Sequence, residues 1–440
     1  MAQRPDDQAS LPELQIEIIG GSGRDSEYEL QMTAPDGATS RGAFRIPLSG
    51  EEIQAVRTAS SDVPLIQRSW TMQTADFAMA VGARLFDSLF AGRLGLLYKH
   101  AAVPSGRLGL RLVSHDPLVM ALPWELLYDH EILNDFIALS GYTLARQIPL
   151  QGLPPDKAVA GPLRVLLVAA DAPYASPSLP GVRLEVERLE ALVEPHAQVR
   201  LLTGATLSDL AHVLAEYQPH VFHYAGHAAV RDSGDQLLQL SFSTQDKHFD
   251  ILPSSFANAL REVPDLRLMF LSAESTDMIA AVAAETIPAV IGMRGLITDR
   301  TSMMFATEFY RRVFDGILVE EAASDARRRI NYQSPGSVEW SVPVLYLRSG
   351  ATLLPSDSGR EVTSVSLDDV TSGVVAADPS RQAELDYLGK KLAVTKTNLE
   401  ELQLKKKQMG EAVPSVVTFQ IMKLEYELSE TSRQISELRL

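Results

Sequence analysis

The chain of 440 residues contains no cysteine. That excludes a disulfide framework, a thiolate metal site and a cysteine nucleophile. Positive charge is scarce: 40 Lys and Arg stand against 56 Asp and Glu, for a net charge of −16. Nucleic-acid-binding surfaces depend on basic faces, so no nucleic-acid partner is expected. Long apolar runs are also missing. The longest, Ile279 to Met293, contains Glu285 and Pro288 and is too short to span a bilayer. The first residues, Met-Ala-Gln-Arg-Pro-Asp-Asp, lack the apolar core of a secretory signal. The expectation is a soluble, cytoplasmic protein with no membrane span.

What is present suffices for an ordinary core, with 45% hydrophobic and 22% charged residues. The length allows roughly two to four domains. Three β-like runs, at 14–19, 28–32 and 43–47, are separated by the turn-forming Gly20-Gly-Ser-Gly23 and Pro35-Asp-Gly-Ala38. They predict a β-rich module over residues 1–62. The glycine run lacks the Lys-Ser/Thr ending of a phosphate-binding loop and reads as a turn. Helices are expected at 49–59 and 73–99, the second from Phe77, Val81, Leu85, Leu89 and Leu96. A strand follows at 108–113. Leu122-Pro-Trp-Glu-Leu-Leu-Tyr128 reads as a buried tryptophan with a partner carboxylate at a helix start.

Pro154 to Pro162 has the composition of a linker, and beyond it strands and helices alternate. Strands are expected at 163–169, 199–202, 266–271, 289–293 and 342–347, with another ending near Tyr224 and a hairpin strand at 237–242. Helices are expected at 182–193, 206–217, 251–261, 278–285, 301–314 and 319–330. In the first of these, Val182, Val186, Leu189 and Val193 share a face, with charges opposite. Thr206 and Asp209 form a near capping box for the second. Alternation of this length predicts an α/β fold, a mostly parallel sheet flanked by helices. Its domain is read as residues 63–350, with the core at 160–350.

Residues 351–380, rich in Ser, Asp, Gly and Val, read as a flexible linker. From Leu385 to Leu438 apolar residues recur at mostly 3–4 spacing, interrupted at Lys406 and broken around Gly410 to Ser415. That predicts an antiparallel helical hairpin over 381–440. Its single apolar seam needs a cover, either the core or a second chain, so self-association or partner binding is expected here.

Two strand ends stand out. One is Phe222-His-Tyr-Ala-Gly-His-Ala228, with His227 just past Gly226. The other is Phe270-Leu-Ser-Ala-Glu-Ser-Thr276. The carboxyl edge of parallel strands is where α/β folds place their chemistry. His223 and His227 are four apart, a zinc spacing on a helix but not at a strand end. No metal or cofactor is therefore expected, and His223 reads as a core histidine bonded to a neighbouring loop. Arg327-Arg-Arg329 reads as a solvated helix face.

Taken together, Leu122 to Tyr128, Phe222 to Ala228, Ile287-Pro-Ala-Val-Ile-Gly-Met293, Ile297-Thr-Asp-Arg300, Phe305 to Tyr310 and Pro343 to Arg348 resemble the CHAT domain. This is a caspase-like cysteine peptidase family. The resemblance spans roughly residues 75–350. It implies a general base at His227, oxyanion or site-loop roles for Gly226, Ala228 and Ser272, and a nucleophile just after the second strand. The family's usual form there resembles Phe-Leu-Asn-Ala-Cys-Glu-Ser. Without a gap, Glu274 takes the cysteine's place. With the Glu-Ser pair kept in register, Ala273 does, which would also describe a deliberate Cys→Ala change.

Two functions follow from the resemblance. One is a cysteine peptidase, inactive as written, that acts on a partner protein in prokaryotic defence or cell death. The other is a natural pseudoprotease that assembles partners through its C-terminal hairpin.

Overall fold

The computed structural model describes residues 11–21, 26–59, 70–102, 106–149, 162–170, 180–226, 228–230, 238–243, 248–251 and 263–348. It also describes the single positions 256, 260, 392, 396, 399, 403 and 407. In chain order the elements begin with β1 (Glu13–Ile19), β2 (Glu27–Thr33), β3 (Thr39–Arg45), α1 (Gly50–Ala59), α2 (Trp70–Leu89) and α3 (Arg93–Ala102). Then come β4 (Gly109–Val113), the short α4 (Pro117–Met120), a 3₁₀ turn at Trp124–Leu126, β5 (Tyr128–Asp129), β6 (Asp135–Phe136) and β7 (Thr143–Gln147). The second half holds β8 (Arg164–Ala169), α5 (Pro180–Val193), β9 (Gln198–Thr203), α6 (Leu207–Tyr217), β10 (Val221–Ala225), β11 (Ala228–Val230), β12 (Leu238–Ser243) and β13 (His248–Ile251). It closes with β14 (Leu268–Ser272), α7 (Asp277–Ala283), β15 (Ala289–Met293), α8 (Asp299–Phe314), α9 (Val319–Gln333) and β16 (Pro343–Leu347).

Among the described residues, eleven strands form one sheet in the order β3-β2-β1-β4-β7-β16-β15-β14-β10-β8-β9. Two parallel blocks compose it. β1, β4, β7 and β16 run one way, and β15, β14, β10, β8 and β9 run the other; they meet at the antiparallel β15–β16 pair. β1, β2 and β3 form an antiparallel meander whose β1 joins the sheet through β4. The α/β class expected from the sequence is therefore the fold observed. β10, β14, β15 and β16 are buried at every position, as continuous apolar runs require when helices cover both faces.

Burial follows the apolar stripes. Val182, Val186, Leu189 and Val193 of α5 are at most 7% exposed. Thr206 caps α6 with a complete capping box: its hydroxyl accepts from the Asp209 N–H, and the Asp209 carboxylate accepts from the Thr206 N–H. The stretch expected as one helix at 73–99 is two, α2 and α3. Gly92 lies between them at φ +59, a left-handed conformation that ends helices at little cost to glycine. Leu96, expected on the apolar face, is exposed in α3.

The junction before β10 depends on a neutral imidazole. His220 is buried; its Nδ1 accepts from the Arg164 N–H at 3.0 Å, and its carbonyl accepts from the N–H of Arg267 at 2.7 Å. Burial, with the nearby Arg164 charge, lowers its pKa from 6.5 to about 4. The unfolded chain therefore binds a proton that the folded chain refuses. The stabilisation is fully present above about pH 6.5 and is lost as pH falls towards about 4. Denaturant midpoints measured across that window should fall with acidification, and His220→Gln should flatten the decline.

The chain divides into two compact units. The first, residues 1–61, 69–172 and 181–354, contains the sheet. In the second, residues 392, 396, 399, 403 and 407 are helical. The rest of the expected hairpin, and the linkers at 154–162 and 351–380, lie outside the described residues. Among the described residues no helix is long and apolar enough to cross a membrane.

Candidate functional site

The two strand ends singled out from the sequence are hydrogen-bonded neighbours. β10 and β14 run parallel with Ala225 opposite Ser272. One residue further on, the Gly226 N–H donates to the Ser272 carbonyl at 3.2 Å. His227 lies outside the described residues. Ala228 opens β11, which pairs with β12 in a separate antiparallel sheet of three strands, β11-β12-β13. The chain thus leaves the main sheet at Gly226, and the position of His227 falls between the two sheets in sequence.

The second strand end is a stapled corner. Ser275 sits at φ +55, a left-handed conformation that is costly for a residue with a side chain. Its neighbours hold it there. The Thr276 N–H donates to the Met293 carbonyl at 2.8 Å, and the Thr276 hydroxyl accepts from the Met293 N–H at 2.9 Å. The same hydroxyl donates to the Ala273 carbonyl at 2.9 Å. The Ser275 N–H reaches the Gly295 carbonyl at 3.4 Å. The corner between β14 and α7 is therefore fixed against the end of β15.

Within the corner the residues differ in access. Ala273 is 4% exposed and packs in an apolar cluster with Phe222, Tyr224, Met269, Leu271 and Ile279. Glu274 and Ser275 are half-buried. Asp277, first residue of α7, is buried and paired with Arg57 of α1 at 2.7 Å. Arg57 also donates to the Arg294 carbonyl at 3.1 Å, so the end of α1 is anchored next to the corner.

The face of β14 opposite Ala273 carries a buried polar network. The Ser272 hydroxyl donates to Glu185 Oε2 of α5 at 3.0 Å and contacts the Ser302 hydroxyl of α8. Glu185 Oε1 lies 3.2 Å from His223 Nε2, without hydrogen-bond alignment. His223 Nδ1 is 3.3 Å from the Tyr310 hydroxyl, and its ring centroid is 4.8 Å from that of Phe270. Burial, followed by the charge of Glu185, raises the Tyr310 pKa well above 10, so this hydroxyl stays protonated. His223 is a core histidine, as expected, but its partners belong to helices α5 and α8 and not to a loop. Ser272 is buried and its hydroxyl is engaged by this network. That suits a supporting residue better than a nucleophile, which needs access.

Sequence reading missed Glu185. It falls three residues after Val182 and four before Leu189, so the helical period already placed it on the apolar face. It also missed a buried charge cluster around Glu125. Trp124 is buried as expected, but its Nε1 donates to the Val119 carbonyl at 2.7 Å. The carboxylate beside it pairs instead with Arg146. Arg327, expected on a solvated face, is fully buried, and only Arg329 of that trio is exposed. Among the described residues no group of His, Cys, Asp and Glu is placed to hold a metal ion. The arrangement offers a buried scaffold and a half-buried carboxylate at a strand end, but no thiol.

The family model of the CHAT domain matches residues 80–352, which include both strand ends and the corner. A comparison with curated proteins finds no match.

Proposed function

The chain belongs to the CHAT domain family, and on that premise we propose that it is a caspase-like protein that receives a segment of a partner protein at the ends of β10 and β14 but does not cleave it as its sequence stands. The single observation that supports this reading is the Gly226–Ser272 hydrogen bond of 3.2 Å, which joins the ends of β10 and β14. Peptide cleavage of this type needs a thiolate, an imidazole to move the proton and N–H groups for the oxyanion. His227 is the imidazole in this reading, with Ala228 as the backbone beside it; the Gly226 N–H is taken by the Ser272 carbonyl, so Gly226 shapes the site loop and does not hold the oxyanion. The thiolate is absent because the chain has no cysteine.

Of the two positions for the nucleophile, Glu274 fits better than Ala273. A reacting side chain needs access, and Glu274 is half-buried while Ala273 is 4% exposed in the apolar cluster. A carboxylate there is a weak nucleophile towards an amide, and its charge opposes the developing oxyanion. That charge favours the second reading, a natural pseudoprotease that holds a partner and assembles through residues 381–440. We take residues 63–350 as the caspase-like domain, 351–380 as a linker and 381–440 as the assembly segment. A role in prokaryotic defence or cell death rests on analogy with the family.

Cysteine placement tests this. The Glu274→Cys variant should react with a thiol reagent faster than Ala273→Cys. It should also gain peptide or self-cleavage that His227→Ala removes. The reverse order of labelling would overturn the placement at 274. Labelling without cleavage in either variant, with a partner retained through residues 381–440, would favour the pseudoprotease.

A further inference from the structure

Four charged side chains are buried in the interior, and the charges of three arginines act on one carboxylate, Glu125. Glu125 comes from the 3₁₀ turn, Arg146 from β7, Arg294 from the residue after β15 and Arg327 from α9. None is more than 1% exposed. Arg146 is fully engaged. It grips both oxygens of Glu125 and donates to the carbonyls of Met120 at 3.0 Å and Leu122 at 2.9 Å.

The other two arginines are not. Arg294 donates through Nη2 to the Ser341 carbonyl at 3.3 Å and the Ser341 hydroxyl at 3.4 Å. Arg327 donates through Nη2 to the Pro343 carbonyl at 3.0 Å and lies 3.9 Å from Glu125 Oε1. Nε and Nη1 of both are buried with no hydrogen-bond partner among the described residues. The charge count reaches the same conclusion independently. Three guanidinium groups face one carboxylate, and the nearby Asp277 is already paired with Arg57. Burial is the main cause that lowers the pKa of Arg294 and of Arg327 to about 10. Both therefore keep their charge near neutrality, and proton loss does not relieve the excess. Water could satisfy the N–H groups but would cancel no charge.

We propose that this arginine cluster holds a small inorganic anion of the halide class, taken up on folding, against the open Nε and Nη1 donors of Arg294 or of Arg327. Charge-assisted N–H donors favour an anion. The near-zero exposure of every lining arginine favours a monatomic one. The ion is structural and lies outside the reaction.

Thermal unfolding of the full chain at constant ionic strength, with chloride or bromide exchanged for gluconate, tests the proposal. Once halide exceeds its dissociation constant, each tenfold rise should raise the apparent folding constant up to tenfold. The paired Arg294→Met and Arg327→Met substitutions should abolish that dependence. Unfolding that is indifferent to halide overturns the proposal. Should the double variant not fold, crystals of the unaltered chain grown in bromide decide the matter. An anomalous peak in contact with Arg294 or Arg327 is expected, and water density alone at those nitrogens overturns it.

Discussion

Replacing Glu125 with alanine should destabilise the chain by about 3–5 kcal/mol, the usual cost of removing one partner from a buried ion pair. The variant should unfold at markedly lower denaturant. Glu125 is 0% exposed and Arg146 1%. The pair is bidentate, and the Arg146 fork also binds two backbone carbonyls. Burial alone would raise the Glu125 pKa. The charge and hydrogen bonds of Arg146, with help from Arg327 and Arg294, overcome that and hold it below the usual carboxylate value of 4.5. Truncation leaves three buried guanidinium groups with no carboxylate among them. Replacing both partners with apolar residues, Glu125→Leu with Arg146→Met, should cost less than Glu125→Ala alone. A double variant at least as unstable as the single one would show that the ion pair is not the source of the effect.

Gly82→Ala should also destabilise, by about 3 kcal/mol, at the upper end of what overpacking costs. In an exposed helix interior the same change would stabilise by up to about 1 kcal/mol. Here sterics decide the sign. A Cβ on Gly82 would run into the Leu126 carbonyl oxygen and lie 3.1 Å from Tyr128 Cβ. The nearest atom is backbone in the 3₁₀ turn and cannot rotate away. α2 would have to withdraw from the turn that carries Trp124 and Glu125. Equilibrium unfolding of the variant gives the value; a neutral or stabilising result would mean that the helix and turn part freely.

Most of the sheet was legible because buried parallel strands are written as short, unbroken apolar runs. Leu268 to Leu271 and Ala289 to Met293 are such runs, and each became a fully buried strand. Thr206 and Asp209 marked a helix start because capping chemistry is local. Legibility failed where a partner lies far along the chain. Arg327 belongs to a run of three arginines and looks solvated until β16 and Glu125, about 200 residues earlier, are placed beside it. Arg57 likewise gives no hint that it pairs with Asp277, 220 residues later. In the candidate site the Gly226 and Ser272 ends could be located from sequence. The difference in access between Ala273 and Glu274 needed the packed cluster behind the corner.

The meander has a practical bearing on how the protein can be dissected. β1 shields the outer side of β4, whose five residues are all buried. A fragment cut to the family-matched residues 80–352 would strip that shield and lay bare a row of N–H and C=O groups along an apolar strand. Such an edge is a template for stacking between molecules. A trimmed fragment would thus tend to precipitate even with its peptidase-like half intact, and its insolubility would say nothing about that half.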